Sequence, residues 1–305
     1  EGDEFKKYFY QEYDKIKDND DLNLELPDVI NQATECEIEV ENVDSSEFET
    51  WKSRYVTTQK QKGLCAIKLP LCLGDLYRND ADKLCNFLEH FGENTIRCDR
   101  NQNMRIRNIP EKYLGNLFNV IQSLNYTLVA HAPFIGNMIN CTGAQTCKLG
   151  ICLPRGLSKA ITDRLYESDL NLDAIPDFRL NMSGCPNTCG MHHIADLGFF
   201  GKIGRKDGAI YPAYNVLAGA RVEAGKTQYA EKVGDIPAHT VPEFVHAFLK
   251  DYIEEKEEYT DYYEYLEKEG KGLIKDLCAK YKEVASIEED PTFYTDFGAK
   301  RPLRL

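Results

Sequence analysis

Two cysteine pairs constrain this chain more than anything else in it: CTGAQTC, ending in Cys141 and Cys147, and CPNTC, ending in Cys185 and Cys189. Five residues separate the first two thiols and three the second two, and 37 residues lie between Cys147 and Cys185. Two close pairs and one long gap make a four-thiolate site. A metal bound there would close a loop whose unaided closure costs roughly 3 kcal/mol. Soft thiolates at this density select zinc or an iron-sulfur cluster. Structural zinc sites favour two to four residues between paired ligands, and CxxxxxC is wider than that. Gly143, Gly184 and Gly190 sit beside the thiols, where backbone passes close to a bulky group or takes positive φ. These residues favour a cluster, with zinc and unliganded core thiols as the alternatives.

The other seven cysteines, Cys36, Cys65, Cys72, Cys85, Cys98, Cys152 and Cys278, stand singly and read as core or surface thiols. With no apolar block in EGDEFKKYFYQEYDK to act as a signal peptide, a disulfide framework is not expected and a cytoplasmic protein is. No run approaches the roughly 18 apolar residues that span a bilayer, so no membrane partner is expected. A net charge of -13 argues against nucleic acid, whose phosphates need clustered Lys and Arg. The acidic runs at 18–21 and 254–258 read as solvated faces. A length of 305 residues suffices for two compact domains, and a start without Met suggests a piece of a longer protein.

Along the chain, residues 1–35 read as a helical lead-in to about Lys17 and then a linker. A domain over 36–125 follows, with strand-like CEIEVENV, a polar helix from Ser46 to Arg54 and a buried strand LCAIKLPL. Asp80 is placed to cap a helix whose apolar face is Leu84, Phe87, Leu88 and Phe91 and which Gly92 ends. Strands TIRCD and NMRIRNI precede a second helix that opens at Pro110. This is an α+β order, helices on one face of a largely antiparallel sheet. A second domain over 126–285 is expected to open on strand LVAHAPF and to carry helix Ser158 to Glu167 and strands DFRLNMS, IADLGFFG and AYNVLAGAR. A helix after Thr240 buries Phe244, Val245, Phe248 and Leu249; Gly270 and Gly272 interrupt the pattern before a last helix, and 286–305 is an aperiodic tail.

The segment SGCPNTCGMHHIADLGF resembles the signature of the siroheme-dependent nitrite and sulfite reductase family, and CTGAQTCKLG resembles that family's upstream pair. A third stretch, RCDRNQN, resembles its Arg-x-Thr-x-x-Gln-Asn motif, with Arg97, Gln102 and Asn103 on matching positions and Asp99 where Thr is usual. The resemblance implies a ferredoxin-like half domain followed by a [4Fe-4S] and siroheme domain with a helical C-terminal region.

It further implies that Cys141, Cys147, Cys185 and Cys189 hold a [4Fe-4S] cluster, and that Cys189 also ligates the siroheme iron, where nitrite or sulfite takes six electrons. Siroheme carries eight carboxylates, so Arg97, Gln102, Asn103, Lys148 and Asn187 become its candidate contacts. His192 and His193 read as satisfied core or surface side chains. The electron donor would be ferredoxin or a flavoprotein, since no nucleotide-binding glycine motif occurs. The matching region, roughly 48 to 284, resembles the C-terminal half of a duplicated enzyme, and no second Arg-x-x-x-x-Gln-Asn stretch is present. An N-terminal half or a homo-oligomer mate is therefore expected to complete the pocket. The competing reading is a non-catalytic iron-sulfur electron-transfer or scaffold module without siroheme.

Overall fold

A computed structural model describes residues 2–19, 36, 38–125 and 132–303. Glu1–Gln32 and Ala33–Leu305 form separate units. In the first, helix α1 (Gly2–Ile16) buries none of its residues and leaves Phe5, Tyr8, Phe9, Tyr10 and Tyr13 exposed. The expected linker falls mostly outside the described residues.

Among the described residues of CEIEVENV, Cys36 and residues 38–43 join no sheet, correcting the expected strand. Their backbone bonds go to side chains instead: Asn116 accepts from Glu41 N and donates to Glu39 O, and Tyr113 Oη donates to Cys36 O. Helix α2 (Ser46–Tyr55) follows, its first turn capped by Ser45 Oγ accepting from Phe48 N at 3.1 Å, with Phe48, Trp51 and Tyr55 on the buried stripe. Strands β1 (Val56–Thr58) and β2 (Leu64–Leu69) lead to helix α3 (Arg78–Leu88). Asp80 does not cap α3; Tyr77 stands at the N-cap, and Asp80 sits in the first turn, buried, within reach of Lys83. Gly92, at φ 81°, stops the turn that follows. Strands β3 (Ile96–Cys98) and β4 (Met104–Pro110) and helix α4 (Leu114–Gln122) complete an antiparallel sheet of order β1-β2-β4-β3 with its helices. Its core includes Trp51, Ile67, Leu69, Leu84, Ile106 and Leu117.

LVAHAPF lies largely outside the described residues; its end, Pro133, opens a short helix α5 (Pro133–Gly136). Then come β5 (Ile139–Asn140), α6 (Pro154–Tyr166), β6 (Leu180–Ser183), β7 (Leu197–Lys206), β8 (Ala209–Ala218) and β9 (Glu231–Pro237). The order is β5-β6-β7-β8-β9, with β5, β6 and β7 parallel and β7, β8 and β9 antiparallel. Asp207 and Gly208, both at positive φ, make the two-residue turn that sets the β7–β8 register. Helix α7 (Val241–Glu255) buries Phe244, Val245, Phe248 and Leu249 as expected.

The last helical stretch begins before the glycines rather than after them. Short helix α8 (Tyr262–Tyr265) runs through a π turn, Leu266–Gly270, into α9 (Lys271–Tyr281). Gly270 does not interrupt the helix; it makes room for the Tyr265 ring, which a Cβ there would meet at 2.8 Å.

Candidate cluster and anion site

β5 and β6 run parallel, with Asn140 opposite Met182, so Cys141 leaves the end of one strand where Ser183, Gly184 and Cys185 leave the end of the other. The loops that follow are bonded together. Cys141 N donates to Met182 O at 3.1 Å, Ile151 N and Cys152 N both donate to Gly184 O, and Gly184 N donates to Cys141 Sγ at 3.1 Å. Gly143 and Gly184 are forced by contact: a Cβ on Gly184 would stand 2.6 Å from Cys152 O and 2.8 Å from Gly143 Cα.

The backbone thus converges, whereas the thiols are spread. Cys185 is buried, Cys141 is half-buried, and Cys147 and Cys189 are exposed, with Cys189 Sγ 3.9 Å from Asn187 O. Among the described residues, no three Cys, His, Asp or Glu side chains stand ready to hold one metal ion. The donor set still fits a cluster: four soft thiols lie on two mutually bonded loops. Buried polar atoms without partners also lie beside these loops, namely both amide atoms of Asn140, Asn181 Oδ1 and His192 Nε2.

The second loop is closed at its neck. Ser183 Oγ, just before the loop, accepts from Gly190 N, just after it, at 3.0 Å, and meets His192 Nδ1 at 2.8 Å. His192 is fully buried, stacked on Phe200, and burial lowers its pKa to about 4. The imidazole is therefore neutral near pH 7, buried as a core side chain, but its Nε2 has no partner, unlike the satisfied histidine expected. Gly190 passes so near Met182 O that a Cβ would come within 1.9 Å.

A cleft of about 770 Å³ opens between the two sheets, lined among others by Arg54, Lys68, Arg100, Arg105 and Arg179 against Asp173 and Asp177. None of the four thiols lines it, but Met191, two residues past Cys189, does. Asp196, the acid of the quoted signature, is buried and holds Arg179 by its main-chain N and guanidinium, which raises the arginine's pKa. Arg54 pairs with Asp173 at 2.5 Å. Lys68 donates to Asn137 Oδ1, and burial lowers its pKa.

Sequence-expected contacts divide between cleft, surface and scaffold. Gln102 Nε2 donates to Asn140 O at 3.0 Å and its Oε1 accepts from Asn140 N at 3.2 Å, so the amide acts as a strand partner for β5 one residue before Cys141. Asn103 is buried between Leu71 N and Gly136 O. Asp99 Oδ1 accepts from Asn101 N and Asn103 N, which holds the turn that Thr would hold less well. Arg97 is exposed and turned onto Asn94 O and Ile96 O, away from the cleft that Arg100 and Arg105 line. Lys148 and Asn187 are exposed beside Cys147 and Cys189. Lys68, Arg54 and Arg179 were not singled out. A signal existed for Arg179: in FRLNMS, Arg179, Asn181 and Ser183 alternate with core residues Phe178, Leu180 and Met182, placing three polar side chains on one strand face.

The family model of the nitrite and sulphite reductase 4Fe-4S domain matches residues 132–278, and that of the nitrite/sulfite reductase ferredoxin-like half domain matches residues 57–124. The chain belongs to the nitrite and sulfite reductase family. It is 29% identical over 179 residues to a ferredoxin–nitrite reductase of Synechococcus elongatus, covering 58% of this chain and 34% of that protein. It is 24% identical over 229 residues to an assimilatory ferredoxin-dependent nitrite reductase of Haloferax mediterranei, covering 74% and 39%. The chain thus spans well under half the length of these relatives. Its fold resembles the NirA protein of Mycobacterium tuberculosis, with a TM-score of 0.63 at 20% identity over 72% of this chain and 41% of that one. Dissimilatory sulfite reductase I aligns with a TM-score of 0.56 at 12% identity, over 72% and 70%. Among the described residues no helix is long and apolar enough to cross a membrane.

Proposed function

We propose that this chain is the cofactor-bearing part of an enzyme that reduces nitrite to ammonia or sulfite to sulfide, six electrons at a time. The observation that carries the reading is the meeting of two cysteine loops at the ends of adjacent parallel strands, beside a cleft lined with arginine and lysine. Cys141, Cys147, Cys185 and Cys189 would hold a [4Fe-4S] cluster, and Cys189, the last and an exposed one, would share its sulfur with siroheme. When bound, these groups supply electron storage and the iron at which the anion is reduced.

The protein's part is placement and charge. Lys68 and Arg100 would meet carboxylates or a small anion in the cleft, while Asp196 fixes Arg179, Asp173 fixes Arg54 and Asp99 pairs with Arg105, so that each of these guanidiniums presents a set direction. Gln102 and Asn103 serve by holding β5 and the loop before it. Lys68, with its pKa lowered by burial, gives up a proton more readily than an exposed lysine and is the cleft's best proton source. His192, neutral and bonded to Ser183, is not one. Lys148 and Asn187 remain candidates for the exposed rim near the cluster, where a ferredoxin or flavoprotein donor would approach.

Iron, labile sulfide and visible absorption of the anaerobically purified protein test this reading. About four cluster irons plus haem-like bands, with ammonium or sulfide formed from a reduced dye, are expected. Iron without haem bands would instead make the chain a cluster-only electron-transfer or scaffold module.

A further inference from the structure

The residues after 278 lie outside both family models, yet they are bonded to the segment that ties the two cysteine loops together. Cys152 is that tie: its N donates to Gly184 O at 3.0 Å, and its O accepts from Ala144 N at 2.9 Å. One residue on, Leu153 N donates to Asp296 Oδ2 at 2.6 Å, and Asp296 Oδ1 accepts from Phe297 N at 2.9 Å. The carboxyl is buried, 5% exposed. The tail backbone packs directly on the first turn of α6, where a Cβ on Gly156 would stand 1.9 Å from Phe297 O. Tyr294 anchors the tail: it is buried, edge-on to Tyr211, its Oη donates to Ala285 O, and its O accepts from Leu303 N.

We infer that Asp296 is a positioning residue that braces both cysteine loops from behind through Leu153 and Cys152, making the C-terminal tail part of the cluster site. The brace needs one oxygen accepting at Leu153 N, so Asp296→Asn with its carbonyl turned to Leu153 keeps the brace and gives up only the bond from Phe297 N, whereas Asp296→Ala loses both. The inference rests on the reading of the four cysteines as cluster ligands, and the test separates the two.

Amide hydrogen exchange in the metal-free chain reads the brace directly. Asp296→Ala should speed exchange at Ala144, Ile151 and Cys152 roughly ten- to a hundredfold, the loss of one buried bond, while Asp296→Asn stays within about threefold of the parent. After reconstitution with iron and sulfide, Asp296→Ala should release iron to a chelator faster by a similar factor, again rescued by Asp296→Asn. Unchanged exchange in Asp296→Ala overturns the inference. Should that variant not fold, the parent decides: Cys152, Leu153 and Phe297 amides must open as one unit, and independent opening overturns it. A parent that takes up no cluster defeats the cysteine reading alone, because the exchange result still stands or falls by itself.

Discussion

Ser183 shows how much one hydroxyl can govern here, since its oxygen joins the two sides of the second cysteine loop and also meets His192. Ser183→Ala leaves Gly190 N and His192 Nδ1 without their partner in a buried setting. The expected loss is about 1–3 kcal/mol, read as a lower urea midpoint with unchanged slope. Two buried titratable groups bend stability with pH in opposite senses. His192, lowered to about 4, is neutral in the fold, so the unfolded chain binds the extra proton as pH falls from about 6.5 to 4, and stability falls with it. Asp296, raised to about 6 by burial, holds its proton longer when folded, so stability falls as pH rises from about 4 to 6. Asp296→Asn removes that second loss. Its stability relative to the parent should therefore climb through this window, by up to about 3 kcal/mol at pH 7, in urea melts taken from pH 4 to 7. The cysteines were legible because thiol chemistry resides in the residue type and its spacing. The roles of Gln102 and Asn103 were not: an amide reads the same whether it faces a carboxylate or, as Gln102 does, the backbone of Asn140 38 residues away.

At the scale of elements, the two kinds of glycine near and far from the site separate cleanly. Gly190 lies against backbone, with no flexible side chain to give way, so Gly190→Ala must push the second cysteine loop off β6 and should cost several kcal/mol. Gly272 is exposed within α9 and would meet nothing within 4 Å, so Gly272→Ala should gain roughly 0.5 kcal/mol or more from helix propensity. Thermal melts of the two variants, moving in opposite directions, check both. Periodicity made α2, α3, α4 and α7 readable, since each buries the apolar residues of its sequence pattern in a hydrophobic core. It failed at CEIEVENV, where an alternating pattern is satisfied by Asn116 and Tyr113 side chains rather than by a neighbouring strand. It failed again at β9, whose EKVGDIP lacks clean alternation and is held by its pairing with β8. The glycines at 270 and 272 misled for the same reason: a breaker by propensity is harmless where a π turn needs the space or solvent surrounds it.

For the molecule as a whole, Ala33–Leu305 form one compact unit with no division near residue 125, and within it the two larger hydrophobic cores and the two sheets lie on either side of residues 126–131. The cleft between the sheets has an unbalanced charge inventory for its proposed occupant. Among its described lining residues, Arg54, Lys68, Arg100, Arg105 and Arg179 stand against Asp173 and Asp177, and three of the arginines already answer carboxylates, Arg54 that of Asp173, Arg105 that of Asp99 and Arg179 that of Asp196. Siroheme brings eight carboxylates, and leaving several of them near a low-dielectric wall without a cation is expensive. For siroheme to bind as proposed, more positive charge would have to come from another surface, a first half or a second copy of this chain. Siroheme content per chain should therefore rise steeply with assembly: low in the isolated monomer and near one when the completing partner is joined. Haem absorbance measured across size-exclusion fractions reads this directly. A monomer carrying full siroheme would show that the cleft's own cations suffice, and would move the shortfall from the protein's charge to the solvent that screens it.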